Sequence, residues 1–272
     1  MTRRLAVTNL SIVVLAALLA PLVAPYDPAR QIDIVLLKNQ GPTVAHWFGT
    51  DAYSRDILSR VLYGARTSLM VASLATFVAT LLGCVWGGIA ATAGARVGTV
   101  LMLWVDVVRS IPRLLLFLVA VALAGALTPT VLAILLGAAA WPATSRMVYA
   151  LVRDTESRSF VEAARSSGAS STRVLAVHVA PHLIGPLAAS GALLLADILA
   201  LESGLSFLGL GVRPPGASWG SMVQDALPFL GSAWWTVAVP CACLVVTVLS
   251  AASIADHLQK KGLRGETAVP GQ

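Results

Sequence analysis

Charged residues are scarce in this 272-residue chain, and their scarcity limits the classes of protein to which it can belong. Asp, Glu, Lys and Arg make up 12% of the residues and hydrophobic residues 57%, whereas a soluble domain holds roughly 25% charged and 45–50% apolar residues. The mean hydropathy is +0.81. The composition therefore excludes an ordinary soluble domain and indicates an integral membrane protein. The net charge of +6 does not indicate a nucleic-acid partner, because no basic stripe is interleaved with aromatics.

Residues that carry catalytic or metal chemistry are also few. The three cysteines lie within apolar segments and show no metal-ligand spacing with the four scattered histidines. The sequence shows no Ser-His-Asp set, no paired-carboxylate site and no phosphate-binding glycine loop. We therefore expect no catalytic residue, no bound metal and no cofactor in this chain.

Six apolar stretches are long enough to cross a hydrocarbon layer of about 30 Å as helices. The first exceeds the apolar core of a signal peptide, which favours a retained helix over a cleaved one. The sequence thus predicts an all-α, polytopic membrane protein with six transmembrane helices. These spans are Leu5–Ala24, Thr67–Thr92, Val97–Ala124, Pro129–Tyr149, Leu183–Leu201 and Trp234–Ile254.

The placement of Lys and Arg predicts the orientation of these spans. If the N-terminus is inside, 11 of the 19 basic residues fall in cytoplasmic pieces and six in external loops, while Arg109 and Arg113 lie within a span. Because basic residues are enriched in cytoplasmic loops, both termini are predicted to be cytoplasmic. The predicted regions are a first helix (1–25), an external loop (26–66), a five-helix core (67–256) and a cytoplasmic tail (257–272).

Within the external loop, charged and apolar residues alternate between Asp51 and Leu62 at the period of an amphipathic helix, which predicts a helix at the membrane interface. Farther along, the segment 203–216 is apolar yet rich in glycine. Such an irregular segment must pack against protein or line a cavity if it lies at membrane depth; a simple external loop is the alternative. Trp219 then begins a short segment that can lie along the interface.

A polar stretch over residues 153–181 is cytoplasmic in this topology. Its middle, Phe160 to Ser170, can form an amphipathic helix, and Gly168 suits a left-handed position at the end of it. Pro181 suits the first turn of the next span, where a missing N–H group does no harm.

Several ionisable residues lie in or at the ends of predicted spans. A charge at membrane depth costs at least about 2.5–3.5 kcal/mol on insertion scales, so such groups should be paired or should face water or protein. Asp106, Arg109 and Arg113 share one face of the third span, because they are spaced at i, i+3 and i+7. Asp197 in the fifth span is a possible partner for them. A structural ion pair, a polar pathway and misplaced span boundaries all remain open. These residues are Asp106, Arg109, Arg113, Asp197 and Glu202.

The polar stretch also carries a resemblance. Glu162-Ala163-Ala164, then Gly168 and Pro181, have the spacing of the EAA loop of ABC-importer permeases. Together with the motifs at 46–60, 206–212 and 214–220, in this order, they resemble the C-type permease of the oligopeptide, dipeptide and nickel branch. The resemblance covers about residues 46–256. The chain departs from the general pattern at Ser54, His178 and Ala180, and after Asp256.

The resemblance implies a type I permease fold in the bacterial inner membrane and transport by alternating access. The implied partners are a homologous B-type permease in a heterodimer, two cytoplasmic ATPase subunits that bind ATP and magnesium, and an extracytoplasmic binding protein. The ATPase-coupling residues that it implies are Phe160, Glu162, Ala163, Ala164, Arg165, Gly168, Ala169 and Ser170. The external loop motif that it implies comprises Ser206, Phe207, Gly209, Gly211, Pro214, Pro215 and Trp219.

Peptides are the expected cargo. Nickel or another chelated metal is the alternative, since the sequence carries no cargo-specific signature that would exclude it. Two other classes remain open. A secondary transporter would need an inverted repeat and a coupling-ion site near the midplane, and no repeat is visible between the halves of the chain. A membrane scaffold would tolerate changes in the 153–181 stretch, which a coupling element would not.

Overall fold

The structure is a computed structural model that describes residues 1–124, 128–170 and 173–266, and most of these residues are helical. The described ranges contain no β-strand. The α-helices are α1 (Arg3–Leu18), α2 (Ala20–Val23), α3 (Ile57–Thr92), α4 (Ala95–Ser110), α5 (Arg113–Ala124), α6 (Pro129–Glu156), α7 (Ser159–Ser166), α8 (Ala180–Phe207), α9 (Trp219–Ala226) and α10 (Trp235–Glu266). A π-helix (Val174–Val179) precedes α8, and a 3₁₀ turn (Leu227–Phe229) follows α9.

Four helices are long and apolar enough to cross a membrane, and they match four of the six predicted spans. Each extends beyond its predicted bounds at one or both ends, because polar turns continue the helix past its apolar part. The predicted tail likewise begins as helix, since α10 continues to Glu266; residues 267–272 lie outside the described part. The four segments are Ile57–Thr92, Pro129–Glu156, Val177–Phe207 and Trp235–Lys261.

The other two predicted spans are interrupted, so six continuous spans are not observed in the described residues. Between Leu5 and Ala24, α1 ends at Leu18 and α2 begins at Ala20. Between Val97 and Ala124 the break falls at Ile111 and Pro112, where Ile111 is extended with φ −82° and ψ 122°. Proline disfavours the helical region for the residue before it and supplies no N–H group, which is consistent with a break at this point.

The described chain forms two compact units, and α3, α6, α8 and α10 each contribute one part to each unit. Unit 1 comprises Met1–Leu74, Ala120–Ala133 and Leu195–Ser253. Unit 2 comprises Ala75–Val119, Ile134–Leu194 and the described residues from Ile254 onward.

In unit 1, Trp219 joins the start of α9 to α3. Its side chain is 1% exposed, and its indole Nε1 donates a hydrogen bond to the carbonyl oxygen of Val61 at 3.2 Å. Its backbone N–H donates to Ser68 Oγ at 3.3 Å. The first turn of this segment is therefore buried against protein, and its position at the membrane interface stays a prediction.

In unit 2, small residues allow α3 and α6 to pack closely. A Cβ added at Gly83 would lie 2.5 Å from Thr144 Cβ, and one added at Gly137 would lie 2.6 Å from the carbonyl oxygen of Ala75. Such contacts require glycine, which lets two helices approach backbone to backbone. The close packing fixes α3 against α6, the helix that carries Arg146.

Candidate functional site

Helix α7 lies in the middle of the predicted cytoplasmic stretch and is packed on one side only. Val161 is fully buried in an apolar cluster of unit 2 that includes Val148 and Val152, and Ala164 and Ala169 pack against the same cluster. This face fixes the helix to unit 2.

The end of α7 is set by a glycine. The helix ends at Ser166 rather than Ser170, because Gly168 has φ +84°. The N–H of Ala169 donates to the carbonyl oxygen of Ala164 at 3.1 Å, which is the six-to-one bond of a Schellman motif. The predicted left-handed glycine is thus confirmed, although the helix is shorter than expected.

The opposite face of α7 is open. Glu162, Ala163 and Ser166 are exposed, and the two small residues leave a low surface beside one carboxylate. The side chain of Arg165 lies outside the described part. An exposed, rigidly seated helix face of this kind is suited to contact with another protein.

Aromatic and imidazole rings flank α7. Phe160 is 39% exposed, and its ring lies 5.6 Å from that of His182 and 6.3 Å from that of His178. His178 belongs to the π-helix Val174–Val179, which the sequence did not predict and which coincides with the departure from the general EAA pattern. Pro181 is the second residue of α8, so the expected helix start is correct to within one residue.

Glu202 is fully buried in unit 1 rather than placed at the end of a helix. Its carboxylate accepts hydrogen bonds from Ser206 Oγ at 2.7 Å and from Ser203 Oγ at 3.3 Å. Ser206 Oγ in turn accepts from the N–H of Val212 at 3.2 Å. This chain of bonds ties the segment after α8 to the helix.

The glycine-rich segment is less irregular than predicted, since residues up to Phe207 continue α8. Gly209 then turns the chain with φ +78°, and Gly211 packs directly on Ser206. Phe207 is 37% exposed. The motif residues Ser206, Gly211 and Trp219 are buried, whereas Pro214 and Pro215 are exposed.

Four charged residues of unit 1 form a buried network. Asp51 Oδ2 lies 2.7 Å from Arg55 Nε and 3.4 Å from Arg60 Nε. Asp225 Oδ2 lies 3.0 Å from Nη2 of Arg55 and 3.3 Å from Nη2 of Arg60. Arg60 is only 2% exposed. The predicted helix is present only from Ile57 onward, where α3 begins, and its charges are turned into protein. Its position at the membrane interface stays a prediction.

Asp106 of α4 is paired with Arg146 of α6, which is one of the 11 basic residues that the predicted topology places in the cytoplasm. Arg146 of α6 donates from Nε to Asp106 Oδ1 at 2.8 Å, and from Nη2 to Oδ2. The sequence counts Arg146 with the cytoplasmic charges, because it lies close to the end of an apolar run. Its position inside a predicted span was the available signal.

The other span charges differ in their contacts. Arg109 is exposed and has no ion pair in the described part of the chain. Arg113 and Asp197 each take part in a polar or electrostatic interaction. The expected use of Asp197 as a partner for the third span remains a prediction.

Known structures share the fold. The chain is similar to a chain in an inward-facing structure of the MetNI methionine ABC transporter, with a TM-score of 0.59 and 17% identity, over 78% of this chain and 97% of that one. A second crystal form of the same transporter gives a TM-score of 0.57 at 19% identity, over 78% and 96% of the two chains. The chain thus shares the helical fold of a chain in that transporter.

Residues 79–263 match the family described as binding-protein-dependent transport system inner membrane component, and the chain belongs to this family. It is 34% identical to the di/tripeptide transport system permease protein DppC of Pseudomonas aeruginosa, over 91% of this chain and 83% of the relative. The dipeptide transport system permease protein DppC of Bacillus subtilis is 32% identical over 89% and 75%. A putative peptide permease protein of Brucella suis is 37% identical over 90% and 80%. The prediction of an ABC-importer permease subunit is confirmed.

Proposed function

We propose that this chain imports peptides as one half of a heterodimeric permease, by alternating access driven by two partner ATPases and supplied by an extracytoplasmic binding protein. The cargo is argued from the relatives, whose names specify di- and tripeptide or peptide transport. The single structural observation that supports the mechanism is the geometry of α7.

An ATPase that closes on ATP can move membrane helices only through a contact that does not yield. Val161 anchors α7 in the core of unit 2, and the Gly168 cap fixes its end. The open Glu162 and Ala163 then present one charge on a surface low enough for close approach. We assign α7 as the coupling helix, seated in a groove of the ATPase.

The proposed topology has six membrane crossings with both termini in the cytoplasm. The excess of Lys and Arg on the proposed cytoplasmic side supports it. In this arrangement α1 with α2, and α4 with α5, form the two interrupted crossings. Helix α7 then lies on the side where ATP is hydrolysed.

The test is ATP hydrolysis and uptake by the complete complex in liposomes, with peptide-loaded binding protein outside. Glu162→Lys places a positive charge where a negative one meets the ATPase, so receptor-stimulated hydrolysis should fall by at least about tenfold, since a mispaired interface charge costs a few kcal/mol. The yield of folded permease should not change, because Glu162 is exposed in the chain itself.

Asp256→Lys is the matched control, since Asp256 is an exposed acid near the end of α10 and pairs with Lys260 at 2.7 Å. It should leave stimulation unchanged. Full stimulation in Glu162→Lys would overturn the coupling assignment. Uptake of nickel rather than labelled dipeptide would overturn the cargo while leaving the mechanism intact.

A further inference from the structure

The ion pair between Asp106 and Arg146 is open to the surroundings of the chain. The side chain of Asp106 is 41% exposed and that of Arg146 is 46% exposed. The two groups nevertheless bind in bidentate fashion, through Nε and Nη2 of the arginine. The pair is therefore formed, but it is accessible from one side.

The ion pair lies at the same level along α4 as apolar side chains that are exposed on the surface of the helix. At about 1.5 Å per residue, Asp106 is roughly 16 Å along α4 from its start at Ala95. The neighbouring Leu103, Trp104 and Val107 are 58%, 58% and 56% exposed. An exposed apolar strip of this kind is suited to lipid, which places the pair at hydrocarbon depth.

The charged surface and the apolar strip are different surfaces of α4. Two residues along a helix turn it by about 200°, so Arg109 points away from Val107, and Asp106 lies between Arg109 and the apolar strip. Charged groups at membrane depth face protein or a water-filled cavity, because contact with lipid is too costly. The open side of the pair is therefore covered by water or by another subunit.

The environment of Arg109 indicates that the open side of the ion pair is covered by water rather than by a dry protein contact. It lies one turn beyond Asp106, is exposed, and has no ion pair among the described residues. With Asp106 and Arg146 it leaves one net positive charge. The helix also ends at Ser110, and Ile111 is extended; irregular backbone at such depth is tolerated where it lines a cavity or is buried in protein.

We propose that Asp106, Arg109 and Arg146 line the water-filled translocation pathway, and that Arg109 binds the C-terminal carboxylate of a peptide in transit. A guanidinium presents paired N–H groups that match a carboxylate, and every unmodified peptide ends in one. This inference rests on the proposed import of peptides.

The first test is thiol accessibility in the assembled complex, with Cys84, Cys241 and Cys243 replaced by serine. Arg109→Cys is the probe position, because its removal breaks no ion pair in the described structure. Val107→Cys, on the apolar strip two residues away, is the matched control. A membrane-impermeant charged methanethiosulfonate should modify Arg109→Cys at least about tenfold faster, because thiols react as thiolates and these form in water rather than in lipid.

Equal rates at the two positions would overturn the pathway assignment, as would protection of Arg109→Cys combined with cross-linking to the partner permease. Uptake of peptide by the cysteine-free complex is recorded in the same preparation. If that uptake is present and the labelling fails, only this inference is wrong. If the wild-type complex imports no peptide, the proposed function is wrong.

The second test compares uptake of a dipeptide with uptake of its C-terminal amide, in wild type and in Arg109→Gln. Both complexes use the same binding protein. Its preference between the free acid and the amide therefore cancels when the acid-to-amide uptake ratio of Arg109→Gln is divided by that of wild type. Arg109→Gln should lower uptake of the free acid about tenfold more than uptake of the amide, since the amide lacks the negative charge that the guanidinium binds. Equal loss for both peptides would overturn the carboxylate contact.

Discussion

The buried charged groups of unit 1 are held by ion pairs and hydrogen bonds inside the unit, whereas the charged groups that stand out in unit 2 are open. Arg60 and Glu202 are 2% and 0% exposed, and each is held by neighbouring side chains. Glu162 is exposed on α7, and Asp106 and Arg146 are open although paired.

This difference separates structural from contact roles. A buried charge is tolerated only when its partners are complete, and removing one partner is costly. An exposed charge on a fixed helix contributes little to stability and is free to meet another molecule. Unit 1 groups should therefore control folding, and unit 2 groups should control transport.

The largest expected loss of stability follows the replacement of Asp51. Asp51→Ala removes the acceptor shared by Arg55 and Arg60 and should lower the free energy of unfolding by about 3–5 kcal/mol, as for other broken buried pairs. Thermal unfolding of the purified complex measures the loss. Asp154→Ala breaks an exposed pair with Arg158 and should cost under about 1 kcal/mol; similar losses in both variants would remove the distinction between the units.

A smaller effect is expected at Glu202. Glu202→Leu leaves the hydroxyls of Ser203 and Ser206 without their acceptor and should cost about 1–3 kcal/mol. Glu202→Gln keeps one acceptor oxygen and should cost less. If Glu202→Gln impaired uptake while the unfolding temperature stayed constant, Glu202 would belong with the transport groups.

The smallest effect on stability is expected at Gly168. Gly168→Val forces a branched side chain into φ +84°, which costs about 1–2 kcal/mol locally, although no atom lies near enough to clash. Receptor-stimulated ATP hydrolysis should fall, because α7 loses its fixed end. Gly168→Asn tolerates the left-handed region and should retain most of the stimulation; equal loss in both variants would contradict the role of the cap.

Local signals in the sequence predicted the elements that depend on local physics. Apolar length located four membrane-crossing helices, and the spacing from Glu162 to Gly168 predicted α7 and its cap. Proline marked the break at Pro112 only weakly, because proline also occurs inside intact helices such as α6, which contains Pro142.

Long-range contacts were not predictable from one sequence. Asp225 meets Arg55 across 170 positions, and amphipathic spacing alone made the 51–62 segment look interfacial. The pairing of Asp106 with Arg146 was not predicted, because Arg146 was counted with the cytoplasmic charges and not considered as a partner for the third span. In both cases the partner, not the local pattern, decides the environment.

The most direct test of α7 as the coupling helix is a photo-cross-link from its open face to the ATPase. A benzoylphenylalanine at Ala163, on the open face of the helix, should form a covalent product with the ATPase in the assembled complex. The same probe at Val44, which is 96% exposed in the predicted external loop, should form none. A product from Val44, or none from Ala163, would contradict the assignment of α7 as the coupling helix.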